Sequence, residues 1–375
     1  MILTVGLVFP TTANVQAAET ADAVPGEIVV KFKDEVGVAK ATSALESPDT
    51  EVVSQNTDAG FAVVKVKDAS VQATIKKLSA LSNVEYAEPN ILFHTMATPN
   101  DPDFSKQWGL TKINAPAAWE VTEGDSSVKV AVVDTGVDYN HPDLAGKVIK
   151  GGDFIDNDND PMDENGHGTH VAGIAAANTN NGIGIAGTAP GVSIYAVRVL
   201  DANGSGSLDA VASGIRDAAD AGSEVINLSL GALIGAQTLK DAVDYARSQG
   251  SVVVAAAGND GLPLPSYPAY YDSAIAVAST TSSDSRSSFS SFGWWVDIAA
   301  PGSDIYSTVP GGGYGSYSGT SMATPHAAGV AGLLASQGRS ADEIEEALFN
   351  SAEPISGTGL FWNYGRIDAA AAVGY

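Results

Sequence analysis

Residues 128–136 read Val-Lys-Val-Ala-Val-Val-Asp-Thr-Gly, an apolar run of strand length that ends in a carboxylate and a turn. A short apolar run bounded by turn residues is typical of a buried β-strand. Four further runs have this character, and helical stretches alternate with them. Such alternation predicts an α/β fold with a mainly parallel sheet, helices on both faces, and an active site at the carboxyl ends of the strands. The further strands are Ser193–Val199, Val225–Leu230, Val252–Ala257 and Ala274–Ala278, and the helices are His167–Ala177, Leu208–Ala221, Leu239–Gln249, Ser321–Ser336 and Ala341–Asn350.

A different pattern precedes this sheet. Strand, helix, strand, helix and strand follow one another within residues 26–93, which predicts a small α+β domain. Residues 94–103 contain three turn-forming residues and predict a linker. The predicted strands are Gly26–Phe32, Phe61–Val66 and Val84–Asn90, and the helices are Val36–Leu45 and Val71–Leu81.

Residues 1–18 resemble part of an export signal. An apolar stretch, Met1–Phe9, is followed by the small residues Ala17 and Ala18 of a cleavage site. The basic residue expected before the apolar stretch is missing, which indicates a truncated signal, and a frayed apolar N-terminus is the alternative. We therefore expect a secreted, extracellular protein.

The composition excludes several functions. The chain has no cysteine, so a thiol nucleophile, a disulfide and a Cys-ligated metal are excluded. The 44 acidic residues against 19 basic ones give a formal net charge of −25, which repels nucleic acid. No apolar run is long enough to span a membrane. The acid excess indicates solubility, salt adaptation or cation binding, and it has one dense cluster, from Asp153 to Glu164.

Four polar residues stand where a parallel sheet places its active site. Asp134 ends the first strand, and Asn259 follows another. His167 and Ser321 each begin a predicted helix rich in small residues, and the positive helix end favours Ser321 as a nucleophile. Taken alone, Asp134 and Asn259 also suit a turn, and Ser321 suits a helix cap. His170 is interpreted as structural, because the motif lacks the Glu of a zinc protease.

Together these motifs resemble those of subtilisin-like serine proteases in order and spacing. The resemblance covers nearly all of residues 98–375, is closest to the thermitase branch, and defines a catalytic domain at residues 97–375. It implies that His167 takes the proton of Ser321 as the hydroxyl attacks a peptide carbonyl, while Asp134 orients the imidazole. The Asn259 amide and the Ser321 backbone N–H would bind the oxyanion. The motifs are Val-Asp-Thr-Gly at 133–136, Gly-His-Gly-Thr-His-Val-Ala-Gly at 166–173, Ala-Gly-Asn at 257–259 and Gly-Thr-Ser-Met-Ala-Thr-Pro at 319–325.

The resemblance also implies how substrate binds. Two segments would pair with the backbone of a protein or peptide substrate, as an added strand does. Hydrophobic pockets discriminate weakly, so we expect cleavage after a broad range of apolar or aromatic residues. We expect a monomer. The segments are Ser229, Leu230 and Gly231 on one side and Gly204, Ser205 and Gly206 on the other.

Calcium is expected at two places. Six acidic residues between positions 153 and 164 repel one another unless cations neutralise them, and oxygen ligands on a loop suit calcium. A solvated acidic loop is the alternative. The resemblance supports both this loop and a second site, with structural rather than catalytic ions. The expected ligands are Asp153, Asp158 and Asp160, with Asp156 and Asp163 as further candidates, in the loop, and Asp101, Asp143, the Asn181 side chain and the carbonyls of Asn178, Ile183 and Ile185 in the second site.

The leading domain resembles the propeptide of subtilisin-like zymogens, which aids folding and then inhibits the enzyme. We predict a propeptide at residues 24–96, because cleavage after Met96 puts apolar Met96 and Phe93 in the first and fourth pockets. Cleavage after His94 is the rival, and a permanent accessory domain is the alternative.

Two other functions remain in competition with an endopeptidase. One is a binding or scaffold protein on an inactive protease fold, against which the intact set of four residues argues. The other is an esterase-like acyl hydrolase. The serine lacks the Gly-x-Ser-x-Gly elbow of that fold, and the order of the three catalytic residues differs.

Overall fold

The computed structural model describes residues 23–33, 38–42, 45, 50–66, 71–91 and 98–375. The chain divides into two compact units, Met1–Thr95 and Met96–Tyr375. The predicted signal segment and both predicted cleavage positions, after Met96 and after His94, lie outside the described residues.

The described part of the first unit contains four strands and two helices. They are β1 (Ala23–Phe32), α1 (Val38–Thr42), β2 (Thr50–Asn56), β3 (Phe61–Val66), α2 (Val71–Ser79) and β4 (Val84–Ile91). The strands form an antiparallel sheet with the order β2-β3-β1-β4. Alternate residues of β1, namely Ile28, Val30 and Phe32, pack in one core with Ile75 and Leu78 of α2.

The α+β prediction holds, but sequence reasoning missed β2. That strand lies at the sheet edge and packs only Val52 against the core, so its sequence shows little apolar alternation.

The second unit is built on a parallel sheet, which confirms the predicted mainly parallel sheet. Its strands are β5 (Lys129–Asp134), β6 (Val148–Asp153), β7 (Ser193–Arg198), β8 (Val225–Leu228), β9 (Val252–Ala256), β10 (Ile275–Thr280), β11 (Ile298–Pro301), β12 (Ile305–Val309), β13 (Gly313–Tyr317) and β14 (Gly365–Arg366). The strand order in the sheet is β14-β11-β10-β9-β8-β5-β7-β6, and β12 and β13 form a separate hairpin. Its helices are α3 (Trp108–Lys112), α4 (Ala115–Trp119), α5 (His167–Ala176), α6 (Leu208–Asp220), α7 (Gln237–Ser248), α8 (Thr320–Ser336), α9 (Ala341–Asn350) and α10 (Ala369–Val373), with 3-10 helices at Phe104–Lys106 and Pro142–Leu144.

Strand β5 shows how the sheet separates two cores. Val130 and Val132 belong to the core that contains α5 and α8, whereas Ala131 and Val133 belong to the core that contains α6 and α7. Because successive side chains of a strand point to opposite faces, a strand buried on both sides is apolar throughout. This accounts for the unbroken apolar run from which the fold was predicted.

The strand order reverses at β5, whose neighbours β7 and β8 lie on opposite sides of it. Chain segments leaving such strands diverge, and the crevice between them is where open α/β sheets bind ligands. The residues that follow β5, β7, β8 and β9 therefore border one crevice.

All five helices predicted for this unit are present with closely similar bounds. Sequence reasoning missed the strands β6, β11, β12, β13 and β14. These are edge or very short strands, or they contain glycine: β6 carries Gly151 and Gly152, and β13 carries Gly313 and Gly315. Such residues weaken the apolar pattern by which a strand is recognised.

Helix α8 runs through the core with glycines where it contacts neighbours. A methyl group at Gly329 would lie 2.5 Å from Thr188 Cβ and 2.9 Å from the Ala175 carbonyl oxygen. At Gly332 the nearest atom is a side-chain methyl of Val130, 3.0 Å away. At Gly329, space for a methyl group is thus limited by the Thr188 Cβ atom and a backbone carbonyl oxygen, which are both fixed. At Gly332 it is limited only by the end of a side chain.

We expect Gly329→Ala to lower the free energy of unfolding by about 1–3 kcal/mol, because the helix must move away from α5 and the Thr188 segment. Gly332→Ala serves as the matched control, since the higher helix propensity of alanine offsets its milder crowding. Guanidinium unfolding in a Ser321→Ala background, which prevents self-digestion, measures both. Equal stability of the two variants would contradict the packing argument.

Candidate active site

The four residues predicted to carry the chemistry all lie at the carboxyl edge of the sheet or on a helix that begins there. Asp134 is the last residue of β5, and Asn259 follows β9. His167 is the first residue of α5, and Ser321 is the second residue of α8.

Asp134 and His167 are joined by a hydrogen bond of 2.7 Å between Asp134 Oδ1 and His167 Nδ1. The Asp134 side chain is fully buried, whereas the imidazole is about one quarter exposed. The backbone N–H of Thr135 donates to the same carboxylate oxygen at 2.7 Å, and the other oxygen has no partner in the part of the chain that the structure describes. With Nδ1 donating to the carboxylate, Nε2 of the neutral ring is left to accept a proton.

Opposing effects act on the imidazole. Burial lowers the pKa of His167, but the charge of Asp134, the hydrogen bond to it and the charge of Asp163 raise that pKa, and the net result is a raised pKa. The site therefore favours the protonated ring more than water does.

Ser321 makes reciprocal contacts with Ser229. Ser321 Oγ donates to the Ser229 carbonyl oxygen at 3.1 Å, and Ser229 Oγ donates to the Ser321 carbonyl oxygen at 2.8 Å. The Ser321 hydroxyl proton thus points to the end of β8 in this conformation. A rotation about the side-chain bond is required before it can be offered to a base.

Two hydrogen-bond donors converge beside Ser321. Asn259 Oδ1 accepts hydrogen bonds from Thr320 N at 2.8 Å and Thr320 Oγ1 at 3.0 Å, so its amide nitrogen faces away from Thr320. A Cβ atom placed on Gly319 would lie 3.6 Å from both Asn259 Nδ2 and the Ser321 backbone nitrogen. The two donors therefore border one space beside Gly319, and a methyl group at this residue would be in ordinary contact with both of them. An oxyanion placed there would meet both N–H groups.

A cavity of about 670 Å³ extends from His167 along the crevice. The six residues predicted to bind substrate line it, although none of them belongs to a strand: they follow the ends of β7 and β8. A smaller cavity of about 160 Å³ lies beside Ser321 and Asn259. The six are Gly204, Ser205, Gly206, Ser229, Leu230 and Gly231. Apolar side chains of Leu200, Leu208, Val211, Leu230 and Leu239 also line the larger cavity.

The second predicted calcium site brings two buried carboxylates to one loop. Asp143 accepts hydrogen bonds from the Asn181 amide at 2.8 Å, Ile185 N at 2.9 Å and Tyr314 Oη at 2.9 Å. Asp101 accepts from the backbone N–H groups of Asn180 and Asn181. Burial and the charge of Asp143 raise the pKa of Asp101. Neither carboxylate has a Lys or Arg within ion-pair distance in the described ranges.

Other predicted ligands of this site lie around that pair. Asn178 N donates to the Asp143 carbonyl oxygen, and Ile183 N donates to Asn181 Oδ1. Two buried carboxylates that form no ion pair with a described residue, next to an amide side chain, are a donor set that fits a hard cation, although the charge of Lys147 acts on Asp143 from beyond ion-pair distance. Across the residues that the structure describes, no group of three or more His, Asp or Glu side chains has a metal-binding arrangement.

The acidic loop is different, because the chain supplies its own cations. Arg198, which is nearly buried, pairs with Asp153 at 2.9 Å, Asp156 at 2.7 Å and Glu164 at 2.7 Å. The other oxygen of Asp153 accepts two backbone hydrogen bonds, from Ile155 and Asp156. The sequence argument that only bound ions relieve this charge overlooked Arg198, a charged residue within an apolar strand.

The remaining acids of the loop are also engaged. Asp160 accepts from Tyr139 Oη at 2.6 Å and pairs with Lys150 at 2.9 Å, and Asp158 accepts from Asp160 N. Asp163 is directed into the protein and receives five hydrogen bonds from the chain, so it is not free to bind a metal ion. The loop therefore fits calcium less well than the Asp101–Asp143 site.

Sequence reasoning missed three residues that organise the site: Thr135, Thr320 and, in its observed role, Asp163. Thr135 and Thr320 stand next to Asp134 and Ser321 in the motifs, where a hydroxyl adjacent to a catalytic residue is a signal. Asp163 lies four residues before His167 and three before Gly166, the N-cap residue of α5, so the usual spacing of a helix cap gave no signal for its role.

The chain belongs to the subtilase family, whose profile matches residues 125–366. The profile of the fervidolysin N-terminal prodomain matches residues 9–90. Thermitase of Thermoactinomyces vulgaris is 64% identical over 279 residues, which cover 74% of this chain and 100% of thermitase. A thermophilic serine proteinase of Bacillus sp. (strain AK1) is 53% identical over 355 residues, 94% of this chain and 88% of the relative. A solved protease structure from Pseudoalteromonas arctica PAMC 21717 has a TM-score of 0.68 at 35% identity and covers 74% of this chain and 99% of that one.

These findings confirm the predicted family, the subtilisin-like fold and the class of enzyme: the chain is a serine protease with an N-terminal prodomain, which implies a zymogen. Within the described residues, none of the helices combines the length and the apolar character needed to cross a membrane.

The space between the two donors at Gly319 yields a test. We expect Gly319→Ala to lower kcat about 100- to 1000-fold, because its methyl group would lie beside both donors, where the family resemblance places the oxyanion. Gly315→Ala on β13 is the control, since its methyl would make an equally ordinary contact of 3.4 Å, with Val309, and would have neither donor within 4 Å. Steady-state kinetics on a chromogenic peptide measure both variants. Wild-type kcat in Gly319→Ala would show that the oxyanion binds elsewhere.

Proposed function

We propose that this protein is a secreted serine endopeptidase of broad specificity, made as a self-processing zymogen and stabilised by calcium. The observation that carries the proposal is the buried Asp134–His167 hydrogen bond at the mouth of the crevice that Ser321 and Asn259 also border. An acid–base pair, a hydroxyl and two converging N–H donors are the parts that acyl transfer needs.

The first chemical step is attack by Ser321 on the carbonyl carbon of the scissile peptide. His167 Nε2 takes the hydroxyl proton as the new Oγ–C bond forms, and the carbonyl oxygen becomes an oxyanion between Asn259 Nδ2 and Ser321 N. The imidazolium then gives its proton to the leaving nitrogen, and the C–N bond breaks. Water, activated by His167, hydrolyses the resulting acyl-enzyme and restores Ser321.

Asp134 holds the imidazole in the tautomer that leaves Nε2 free and stabilises the imidazolium. Its burial supports this role, because a carboxylate shielded from water acts more strongly on a charge in contact with it. The raised pKa of His167 is consistent with such stabilisation.

The lining of the cavities supports broad specificity for apolar or aromatic residues. The smaller cavity beside Ser321 suits the residue before the cut, and the apolar part of the larger one suits residues further upstream. Segments 229–231 and 204–206 would hydrogen-bond the substrate backbone between them, which selects an extended chain rather than a sequence. Protein and peptide chains are the proposed substrates, and the enzyme would act as a monomer.

The zymogen proposal assigns residues 24–96 to a propeptide that aids folding and inhibits the enzyme. The prodomain match over residues 9–90 and the division of the chain near position 95 both support a cut in this region. Cleavage after Met96 remains our prediction and cleavage after His94 the rival. The signal-like residues 1–18 support secretion.

Calcium is proposed first for the Asp101–Asp143 site. An ion there would take up the charge of two buried carboxylates and would bind Asn181 through its side-chain oxygen after the amide turns over. Calcium in the acidic loop would have to displace Arg198 from Asp153 and Asp156, so we propose weaker binding there. Either ion would stabilise the folded enzyme and take no part in the chemistry.

Self-processing can be tested with residues 24–375 expressed with calcium beside a Ser321→Ala twin. We expect the parent to split near Met96 and to digest casein while the twin stays whole, because cleavage requires the Ser321 nucleophile. Intact mass spectrometry identifies the cut, and a fluorophosphonate probe reports whether Ser321 is labelled.

Each other outcome of this experiment has a definite meaning. If both chains fold but stay whole, and the probe does not label Ser321, the protein is a scaffold on an inactive protease fold. If both are cut at the same position, another protease performs the processing, and the self-processing proposal is wrong even where the probe labels Ser321.

Calcium dependence is tested in the Ser321→Ala background by unfolding with calcium and with EGTA. We expect calcium at 100 to 1000 times Kd to stabilise the parent by about 3–4 kcal/mol. Asp143→Asn is expected to lose most of this difference, because it removes one of the two buried charges. The control, Asp158→Asn in the acidic loop, is expected to retain it. A full calcium response in Asp143→Asn would place the ion elsewhere.

A further inference from the structure

Asp163 is a buried carboxylate in the loop before α5, with about 5% of its surface exposed. Its Oδ1 accepts hydrogen bonds from Thr135 Oγ1 at 2.8 Å, Asn165 N at 2.9 Å and Gly166 N at 2.8 Å. Its Oδ2 accepts from Thr169 N at 2.9 Å and Thr169 Oγ1 at 2.5 Å. Five donors thus surround one carboxylate that contacts neither substrate nor Ser321 directly.

One part of this network fixes the start of α5. Gly166, the residue before the helix, has φ of 107° and no side chain to cap the first turn. The Asp163 carboxylate replaces such a cap, because it binds the N–H groups of Gly166 and Thr169, on either side of His167 in sequence. A negative charge at a helix N-terminus is also favoured by the helix dipole. The turn that carries His167 is therefore held by Asp163.

The other part ties this turn to β5. Thr135 donates its backbone N–H to Asp134 and its hydroxyl to Asp163, and that hydroxyl also accepts from Gly168 N at 2.9 Å. The two segments are in such close contact that a Cβ on Gly168 would lie 2.1 Å from the Gly136 carbonyl oxygen. The separation between Asp134 and the His167 ring is thus set at a junction that Asp163 and Thr135 hold together.

Asp163 also carries charge that no cation of the described residues neutralises by an ion pair. Its sequence neighbour Glu164 differs, because it is more than half exposed and pairs with Arg198. Burial keeps water away from Asp163, so its charge acts on the nearby imidazole with little screening. That charge raises the pKa of His167, in the same direction as Asp134.

The other ionisable groups on the elements packed against α5 are few. On α5 itself, burial lowers the pKa of His170 to about 4, and burial lowers that of His326 on α8 to about 4, so both rings are neutral near pH 7. Besides Asp134, the remaining ionisable groups on these elements are Asp143 in the 3-10 helix, Tyr195 and Arg198 on β7, Lys129 on β5 and Tyr306 on β12.

We propose that Asp163 is a positioning residue of the active site, which fixes the first turn of α5 against the end of β5 and whose charge adds to that of Asp134 in stabilising the imidazolium of His167. This inference rests on the proposed function. It predicts that the residue matters to the proton transfer and not only to the stability of the helix.

The test compares Asp163→Asn with Glu164→Gln, which removes the same charge one residue further along. Asp163→Asn keeps an acceptor oxygen and the size of the side chain but loses the charge. We expect its kcat to fall about 10- to 100-fold with KM little changed, because a displaced base acts on the transition state rather than on binding. The acid limb of its kcat/KM profile should move down by about 0.5 pH unit, since the raising influence on the His167 pKa is lost.

Glu164→Gln should change neither kcat nor the acid limb, because that carboxylate is exposed and screened. The enzymes are compared in the same processed form, verified by intact mass. Wild-type kcat in Asp163→Asn would overturn the proposal. A lower melting temperature with an unshifted acid limb would also overturn it, since Asp163 would then only cap the helix.

A second readout needs no turnover and so covers a variant that does not process itself. In full-length Ser321→Ala, the pKa of His167 is measured by NMR with and without Asp163→Asn. We expect a decrease of about 0.5 unit with the substitution, and equal values would overturn the proposal. Failure of the proposed function is distinguished separately, because it would appear as wild-type enzyme that neither cleaves peptide nor labels at Ser321.

Discussion

The hydrogen bond between Asp134 and His167 joins two residues that are 33 positions apart and lie on different kinds of element. Asp134 ends a central strand that is buried on both faces, and His167 begins a helix that packs on that sheet. A fully buried carboxylate is stable only where hydrogen bonds or a countercharge compensate its lost hydration. The glycines at 136 and 168, the Thr135 hydroxyl and the Asp163 carboxylate all serve to bring strand and helix close enough for that bond.

The carboxylates behind the acidic composition lie in different structural environments. Asp153 is neutralised by Arg198, and Asp163 is solvated by five donors of the chain. Asp101 and Asp143 are both buried and form no ion pair with a described residue, which is the costly case, and only the more distant charge of Lys147 acts on Asp143. A large net negative charge is therefore compatible with carboxylates that are ion-paired, hydrogen-bonded or left without an ion pair. Among these, the buried carboxylates without an ion pair are the best indication of a bound cation.

The sequence was sufficient for the parts of the molecule in which the chain makes its own local pattern. The buried strand 128–133 is recognisable as an unbroken apolar run, and α6, α7 and α9 are recognisable by an apolar face of helical period. Helices α5 and α8 are instead long runs of small residues that are buried almost throughout. Strands such as β2 and β6 were missed because they lie at an edge, where only one face, or a few residues, contact the core. The four residues proposed to carry the chemistry were predicted from motifs, since spacing in sequence implies nothing about distance until a fold is known. The partner of Asp153 could not be found, because Arg198 approaches from 45 residues away.

The hydroxyl of Ser321, the proposed nucleophile, is hydrogen-bonded to a backbone carbonyl oxygen in this structure. The Ser321 hydroxyl donates to the carbonyl of Ser229, the first residue of the segment 229–231 that would pair with substrate. Ser229 also holds the Ser321 carbonyl, and Asn227 donates to the Ser229 hydroxyl at 3.0 Å, so nucleophile and substrate-pairing segment share one buried network. The Asn259 amide, in contrast, is already aimed by Thr320, and His167 is already fixed by Asp134. The Ser321 hydroxyl must leave the Ser229 carbonyl oxygen before it can donate to His167. Because Ser229 belongs to the segment proposed to pair with substrate, we expect binding of the chain to be cut to favour that release.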